Sequence, residues 1–189
     1  MTVLLPGFNT PAVGFEEPFA MLGACHERVQ RTLALLGRLR AHVALQGGDE
    51  SARQAARDVL RYFDIAAPLH HQDEELHVFP PLLAQGSSAV VALVQRLLQD
   101  HQDMVAEWAA ARQPLQALAD GQASTFSAED EAALERFALR YARHIEDEEG
   151  AAYPAVQQLL PPEALAPMGR EMAARRQVIP PPGRPRAIA

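Results

Sequence analysis

The sequence predicts an all-α protein, an up-down-up-down four-helix bundle, and three observations favour this fold. Ala, Leu, Gln, Glu and Arg dominate the composition, whereas aromatic residues make up 6% of the chain and strand-like alternation is rare. Apolar residues recur at spacings of three and four along four stretches. Short segments with Gly, Pro, Ser or Asp separate these stretches and offer helix caps.

Residues 1–16 contain several Pro and Gly residues and are predicted to form an irregular lead-in. The first helix is predicted to start near Pro18, because proline is tolerated in the first turn. It should run to about Gln46, where Gly47-Gly48 stop it. His26 lies on its apolar face, which makes this histidine a candidate for the interior.

The second helix begins after Asp49 or Ser51, either of which can act as its N-cap. Pro68 lies within its pattern and predicts a kink, because proline removes a backbone donor and crowds the preceding turn. Pro80-Pro81 and Gln85-Gly86 are predicted to end the segment. The predicted inner face is Val59, Phe63, Ala66, His70, Glu74 and His77.

Ser87 or Ser88 is the predicted cap of the third helix, which should end at Asp120-Gly121. The fourth helix opens on Ser127 with Asp130 three residues later, a pattern typical of a capping box. The inner face of the third helix is Val94, Leu97, His101, Met104 and Trp108; that of the fourth is Leu134, Phe137, Tyr141, His144 and Glu148.

The chain is predicted to form one bundle over residues 17–160, followed by a smaller C-terminal region over residues 161–189. A short helix is expected across residues 163–176. The tail from Pro180 contains consecutive prolines and arginines and is predicted to be extended or disordered.

Composition and charge exclude several classes of function. The formal net charge of −7 argues against nucleic-acid binding, which needs a basic face. No apolar run is long enough to span a membrane, and the first residues lack the basic region of a signal peptide. Cys25 is the single cysteine, so no internal disulfide forms. A cytoplasmic protein is therefore expected.

Two stretches, residues 70–80 and 144–154, share one motif. Each starts with His, has Glu-Glu from the fourth position after it, and closes on aromatic-Pro. Positions four apart share one helix face, so His70 with Glu74, and His144 with Glu148, can each address one ion. Two matches in register indicate a metal site far more strongly than one match would.

Alternating helix directions place six apolar-face side chains at one level of the predicted bundle. Burying four imidazoles and two carboxylates together leaves charge to neutralise, which divalent cations would do. The set suits two ions, each with two imidazoles, bridged by the glutamates, and iron, manganese or zinc fits these donors. The predicted metal ligands are His26, His70, Glu74, His101, His144 and Glu148.

Other polar residues near the motif are weaker candidates. His77 is on the predicted inner face one turn past Glu74, as an additional ligand, a partner of a ligand or a core residue. His71 is one position off that face and is predicted to be a solvated surface residue. Glu75 and Glu149 are likewise predicted to be solvated. Tyr141, Asp100 and Arg143 are candidates for holding the ligands in place.

The six predicted ligands, together with the pairs Phe79-Pro80 and Tyr153-Pro154, resemble the hemerythrin-like cation-binding (HHE) family over about residues 17–160. The resemblance implies a four-helix bundle around a non-haem di-iron centre with two iron ions, for which zinc or manganese can substitute. It also implies a role in binding or sensing O2 or NO, handling iron, or responding to oxidative stress. The expected partner is a small ligand such as O2 or NO, with no nucleic acid and no membrane.

The chain departs from the family pattern at two points. Oxygen-carrying relatives have a second histidine four residues from the first on the third helix, but Leu97 and Val105 flank His101 at that spacing. One imidazole is missing unless His77 replaces it, which argues against reversible oxygen carriage. The paired cysteines of relatives that repair iron–sulfur centres are absent. A binding or sensing protein is favoured over the alternative, an enzyme that detoxifies peroxide or nitric oxide, because no separate acid–base group is visible.

Overall fold

The computed structural model describes residues 13–177, and every regular element in that range is helical. The α-helices are α1 (Pro18–Gln46), α2 (Glu50–Arg61), α3 (Ala67–His77), α4 (Phe79–Gln85), α5 (Ser88–Ala119), α6 (Ala128–Asp147), α7 (Tyr153–Leu159) and α8 (Pro162–Arg175). Two π-helical turns, Tyr62–Ala66 and Glu148–Ala152, join α2 to α3 and α6 to α7. The predicted all-α class is confirmed.

Four long helical rods form the bundle: α1, α2 with α3, α5, and α6 with α7. Contacts run from α1 to α2, from α2 to α5, from α5 to α6, and from α6 back to α1, so the rods close a ring around one interior. Short connections join successive rods, as expected for an up-down-up-down topology. The short α4 packs on α5 and α7, and α8 packs on α1 and α3.

The helix ends follow the local chemistry of the sequence. Gly47 has a φ of 77° directly after α1, a left-handed conformation that glycine adopts without strain. The Asp49 carboxylate accepts a hydrogen bond from the Ala52 amide at 2.8 Å and caps α2. Ser127 and Asp130 form the predicted capping box at the start of α6.

Each π-helical turn ends two residues before a proline. The turn at 62–66 precedes Pro68, and the turn at 148–152 precedes Pro154. A proline inside an α-helix lacks an N–H and clashes with the carbonyl one turn earlier, and a widened turn relieves both problems. The segment ends at Gln85-Gly86 as predicted, but Pro80-Pro81, which were also predicted to end it, lie in the first turn of α4.

Two apolar cores fill the bundle, one on each side of a layer of polar side chains. On α1, Leu22 belongs to one core and Val29 to the other, with the buried His26 between them. On α5, Leu97 and Met104 flank His101 in the same way. The helices therefore bring buried polar residues to one level of an otherwise apolar interior.

The predicted C-terminal helix is present as α8, and a buried ion pair ties it to the bundle. Asp73 on α3 is fully buried, and its carboxylate lies 2.7 Å from Nη2 of both Arg175 and Arg176. A Cβ on Gly169 of α8 would lie 1.8 Å from the Phe15 carbonyl oxygen, so only glycine permits this close approach. The predicted tail and most of the predicted lead-in lie outside the described residues.

No helix in residues 13–177 is long and apolar enough to cross a membrane.

Candidate metal centre

The structure brings all six predicted ligands into the polar layer, one histidine from each rod. The six residues are at most 3% exposed, and both glutamates are 0% exposed. Their donor atoms form two groups, in each of which every atom lies within 4.8 Å of the others. The first group contains His26, His70, Glu74 and Glu148; the second contains Glu74, His101, His144 and Glu148.

In the first group, the imidazoles of α1 and α3 face one oxygen of each glutamate. His26 Nε2 lies 3.1 Å from Glu148 Oε2 and 3.9 Å from Glu74 Oε1. His70 Nε2 lies 3.5 Å from that same Glu74 oxygen, across one turn of α3. The His–x–x–x–Glu spacing thus aims an imidazole and a carboxylate at one point.

In the second group, the imidazoles of α5 and α6 face the opposite oxygens of the same two glutamates. His101 Nε2 lies 3.5 Å from Glu74 Oε2, and His144 Nε2 lies 3.1 Å from Glu148 Oε1. The two Nε2 atoms are 3.1 Å apart. Each carboxylate therefore presents one oxygen to each group, so a metal ion in either group would meet an oxygen of both glutamates.

The protein alone leaves many of these buried atoms without a hydrogen-bond partner. Both ring nitrogens of His70, Oε2 of Glu74, Nδ1 of His144 and both carboxylate oxygens of Glu148 are in this state. Unsatisfied buried polar atoms are costly and rare in folded proteins. Imidazole and carboxylate donors converging on two points fit two divalent cations, which would satisfy these atoms and neutralise their charge.

Burial and mutual charge perturb the pKa values of the cluster. Burial, together with the nearby Glu148 charge, raises the pKa of Glu74 well above its usual range. Burial also raises the pKa of Glu148, but contacts with His144 and His26 outweigh it and hold that pKa well below normal. Burial lowers the pKa of His70 well below its ordinary value and that of His101 to about 2.

These shifts leave the imidazoles of His70 and His101 neutral near neutral pH, which is the state that binds a metal. The pKa of His26 moves the other way, because its contacts with Glu148 and Glu149 outweigh burial and raise it. A cation bound between His26 and Glu148 would compete with that proton. Metal binding should therefore release protons from the layer.

Carboxylates outside the layer orient the imidazoles. Glu149 Oε1 lies 2.8 Å from Nδ1 of His26, and Glu75 Oε1 lies 2.8 Å from Nδ1 of His101. An Nδ1–H donated to a carboxylate leaves Nε2 with its lone pair facing the layer. Glu75 and Glu149 are about half exposed and therefore partly solvated, as predicted. The prediction missed their contacts with the imidazoles.

The second glutamate of each motif therefore has a structural explanation. In each Glu-Glu pair, the first residue enters the layer and the second reaches a histidine of another rod. The sequence signal was present, since both motifs carry Glu-Glu, but only the packing of the rods shows which imidazole each second glutamate meets.

Tyr153, the aromatic residue of the second motif, also contacts the layer. Its hydroxyl donates a hydrogen bond to Glu74 Oε1 and lies 3.3 Å from His26 Nε2. The ring stacks on His26 with an interplanar angle of 6°. Tyr141, the sequence candidate for such a contact, instead packs in the apolar core against Phe63.

His71 differs from expectation, and one of the open alternatives for His77 is decided. The prediction that His71 is a solvated surface residue was wrong, because it is 9% exposed and stacks on His101 with ring centroids 3.9 Å apart. The structure does not bring His77 into the layer; its Nε2 accepts a hydrogen bond from Arg175 at 2.8 Å. Of the residues predicted to hold ligands in place, Asp100 lies 3.6 Å from Nδ1 of His144, whereas Arg143 is exposed.

The fold and this layer define a helical-bundle protein with a buried cluster of metal-ligand side chains. The family model described as hemerythrin HHE cation binding domain matches residues 17–156, and the chain belongs to this family. The chain is also similar to a protein of Haemophilus influenzae that carries the description "Uncharacterized protein". The two are 34% identical over 164 residues, covering 87% of this chain and 92% of the relative.

Proposed function

We propose that this protein is a non-haem di-iron protein that binds or senses a small ligand such as O2 or NO. The observation that carries the proposal is the sharing of Glu74 and Glu148 between two groups of buried donors, one oxygen of each carboxylate to each group. His26 and His70 would hold one ion, and His101 and His144 the other. The same residues would also serve a di-iron protein whose role is to handle iron itself.

Iron bound here would supply open coordination positions and one-electron redox chemistry. The chain orients the imidazoles and keeps water out of the layer. Glu149 and Glu75 each hold an imidazole with Nε2 towards the layer, so the donor geometry is fixed before metal arrives. The apolar cores on both sides, with Leu22 and Val29 as members, exclude water from the layer.

The test starts with anaerobic loading of the metal-free protein with ferrous iron, followed by elemental analysis. About two ions per chain are expected, and a ceiling of one ion would refute the dinuclear proposal. Optical spectra recorded on admission of NO, and separately of O2, then test ligand binding. Two bound ions with spectra that neither gas changes would refute the binding role.

A matched pair of variants sharpens the experiment. Glu148→Ala removes both oxygens that face the two groups and should abolish binding of at least one ion. Glu146→Gln changes an exposed carboxylate two residues earlier and should leave iron content and spectra as in the wild type. An equal loss of iron in both variants would show that the effect of Glu148→Ala is not specific to the layer.

A second candidate function, an enzyme that reduces peroxide or nitric oxide, has one observation in its favour. The buried hydroxyl of Tyr153 is hydrogen-bonded to Glu74, so a proton is held at the edge of the layer. General acid catalysis needs a proton in such a position. Sustained turnover by the iron-loaded protein, lost in Glu74→Ala and reduced in Tyr153→Phe, would favour the enzyme over the binding protein.

A further inference from the structure

His71 belongs to a third group of donor atoms and is a member of neither group that shares Glu74 and Glu148. Donor atoms of His71, His101 and His144 all lie within 4.8 Å of one another. His71 follows His70 directly on α3. Successive residues of an α-helix are rotated by about 100°, so neighbouring side chains can serve two different ions.

The side chains around the His71 imidazole are mainly aromatic and apolar. Its ring stacks on His101 with an interplanar angle of 11° and lies 6.1 Å from the His144 ring. On its outer side is a pocket of about 180 Å³, lined mainly by apolar and aromatic side chains that include Met104 and Trp108. Among the described residues no hydrogen bond reaches the His71 ring, and the donor atoms grouped with it are those of His101 and His144.

The helix that carries His101 offers no further donor to the second group, which has two histidines, as the first group has. On α5, the residues one turn from His101 are Leu97, which is buried in an apolar core, and Val105, which is 68% exposed. Neither provides a donor atom. The sequence alone left His77 as the replacement, but His77 lies against Arg175 of α8.

We propose that His71 is the third imidazole ligand of the ion held by His101 and His144. The proposal rests on the dinuclear centre proposed above and makes its two ions unequal, with three imidazoles on one and two on the other. The rings of His71 and His101 would open from their near-parallel stack when both bind one ion.

The test compares His71→Phe and His71→Ala with the wild type in cobalt(II) titrations against a competing chelator. Phenylalanine keeps an aromatic ring against His101 but has no donor atom, so it separates packing from ligation. In both variants one ion should bind as in the wild type and the other roughly tenfold more weakly or worse. His42→Phe, at a half-buried histidine of α1 that contacts Asp49, is the matched control and should bind both ions normally.

Wild-type affinity for both ions in folded His71→Phe would overturn the proposal. A second measurement does not depend on any variant folding: proton NMR of the wild type loaded with two cobalt(II) ions, in which each ligating imidazole gives a hyperfine-shifted N–H signal. Five such histidine signals are expected, counting His71 with the four of the shared-carboxylate groups, and four would overturn the assignment of His71. A wild type that never binds two ions would instead refute the dinuclear centre itself.

Discussion

Metal removal is the perturbation that most directly tests the buried polar layer. Without cations the layer gathers two fully buried carboxylates and four buried imidazoles, several of whose atoms have no hydrogen-bond partner. A ligand that binds only the folded state stabilises that state by mass action. Metal should therefore raise the melting temperature of this protein, and chelation should lower it.

The size of the shift follows from the number of ions. At a free metal concentration a hundred times the dissociation constant, one bound ion adds about 2.7 kcal/mol to the free energy of unfolding. Two ions held by the two donor groups add about 5 kcal/mol. For a chain of 189 residues, each kcal/mol shifts the melting temperature by about 2–4 °C, so a shift of about 10–20 °C is expected.

The assay is a thermal melt by circular dichroism of verified metal-free protein, repeated after loading with ferrous iron under anaerobic conditions. The double variant Glu74→Gln, Glu148→Gln should lose most of the metal-dependent shift, because both shared carboxylates are replaced. Glu146→Gln should keep it. Identical melting curves for the wild type with and without metal would refute a metal site in the core.

Three further results are expected. On acidification from pH 6.5 to 4.5, the metal-free protein should lose a few kcal/mol of unfolding free energy, measured by urea titration. Burial lowers the pKa of His71 to about 4, so over this pH range the unfolded chain binds a proton that the folded chain does not. His70 and His101 act in the same direction, and the three imidazoles with lowered pKa values are expected to outweigh Glu74 and His26, whose raised pKa values act oppositely. Asp73→Ala should cost about 3 kcal/mol by the same assay, because it leaves Arg175 without its buried partner. His77→Leu should keep both ions by elemental analysis and cost about 1 kcal/mol, the value of one hydrogen bond.

Each of these results has a clear contrary outcome. Stability that rises on acidification over that pH range would mean that the glutamate, rather than the imidazoles, controls the metal-free layer. An Asp73→Ala protein as stable as the wild type would show that the ion pair to α8 contributes nothing net. Loss of one ion in His77→Leu, with the helical content intact, would return this histidine to the ligand set.

The misplacement of His71 and His77 has one physical cause. A single 3.6-residue repeat through α2 and α3 puts Ala66 and His77 on the inner face, and the kink predicted at Pro68 did not specify that a turn would gain a residue. The π-helical turn at residues 62–66 adds a residue to one turn and advances the phase of α3. Ala67 and Val78 are buried in place of the two predicted residues, and His71 turns inward.

Local sequence information determined the helices, their caps and the pairing of each motif histidine with the glutamate one turn later. Those features depend on contacts within a few residues, so spacing and composition suffice to predict them. The sharing of each carboxylate between two groups, the reach of Glu75 and Glu149 to other rods, and the hydrogen bond from Tyr153 to Glu74 depend on how the rods pack. Only the tertiary structure decided these, because residues far apart in the chain meet at distances that no helical repeat encodes.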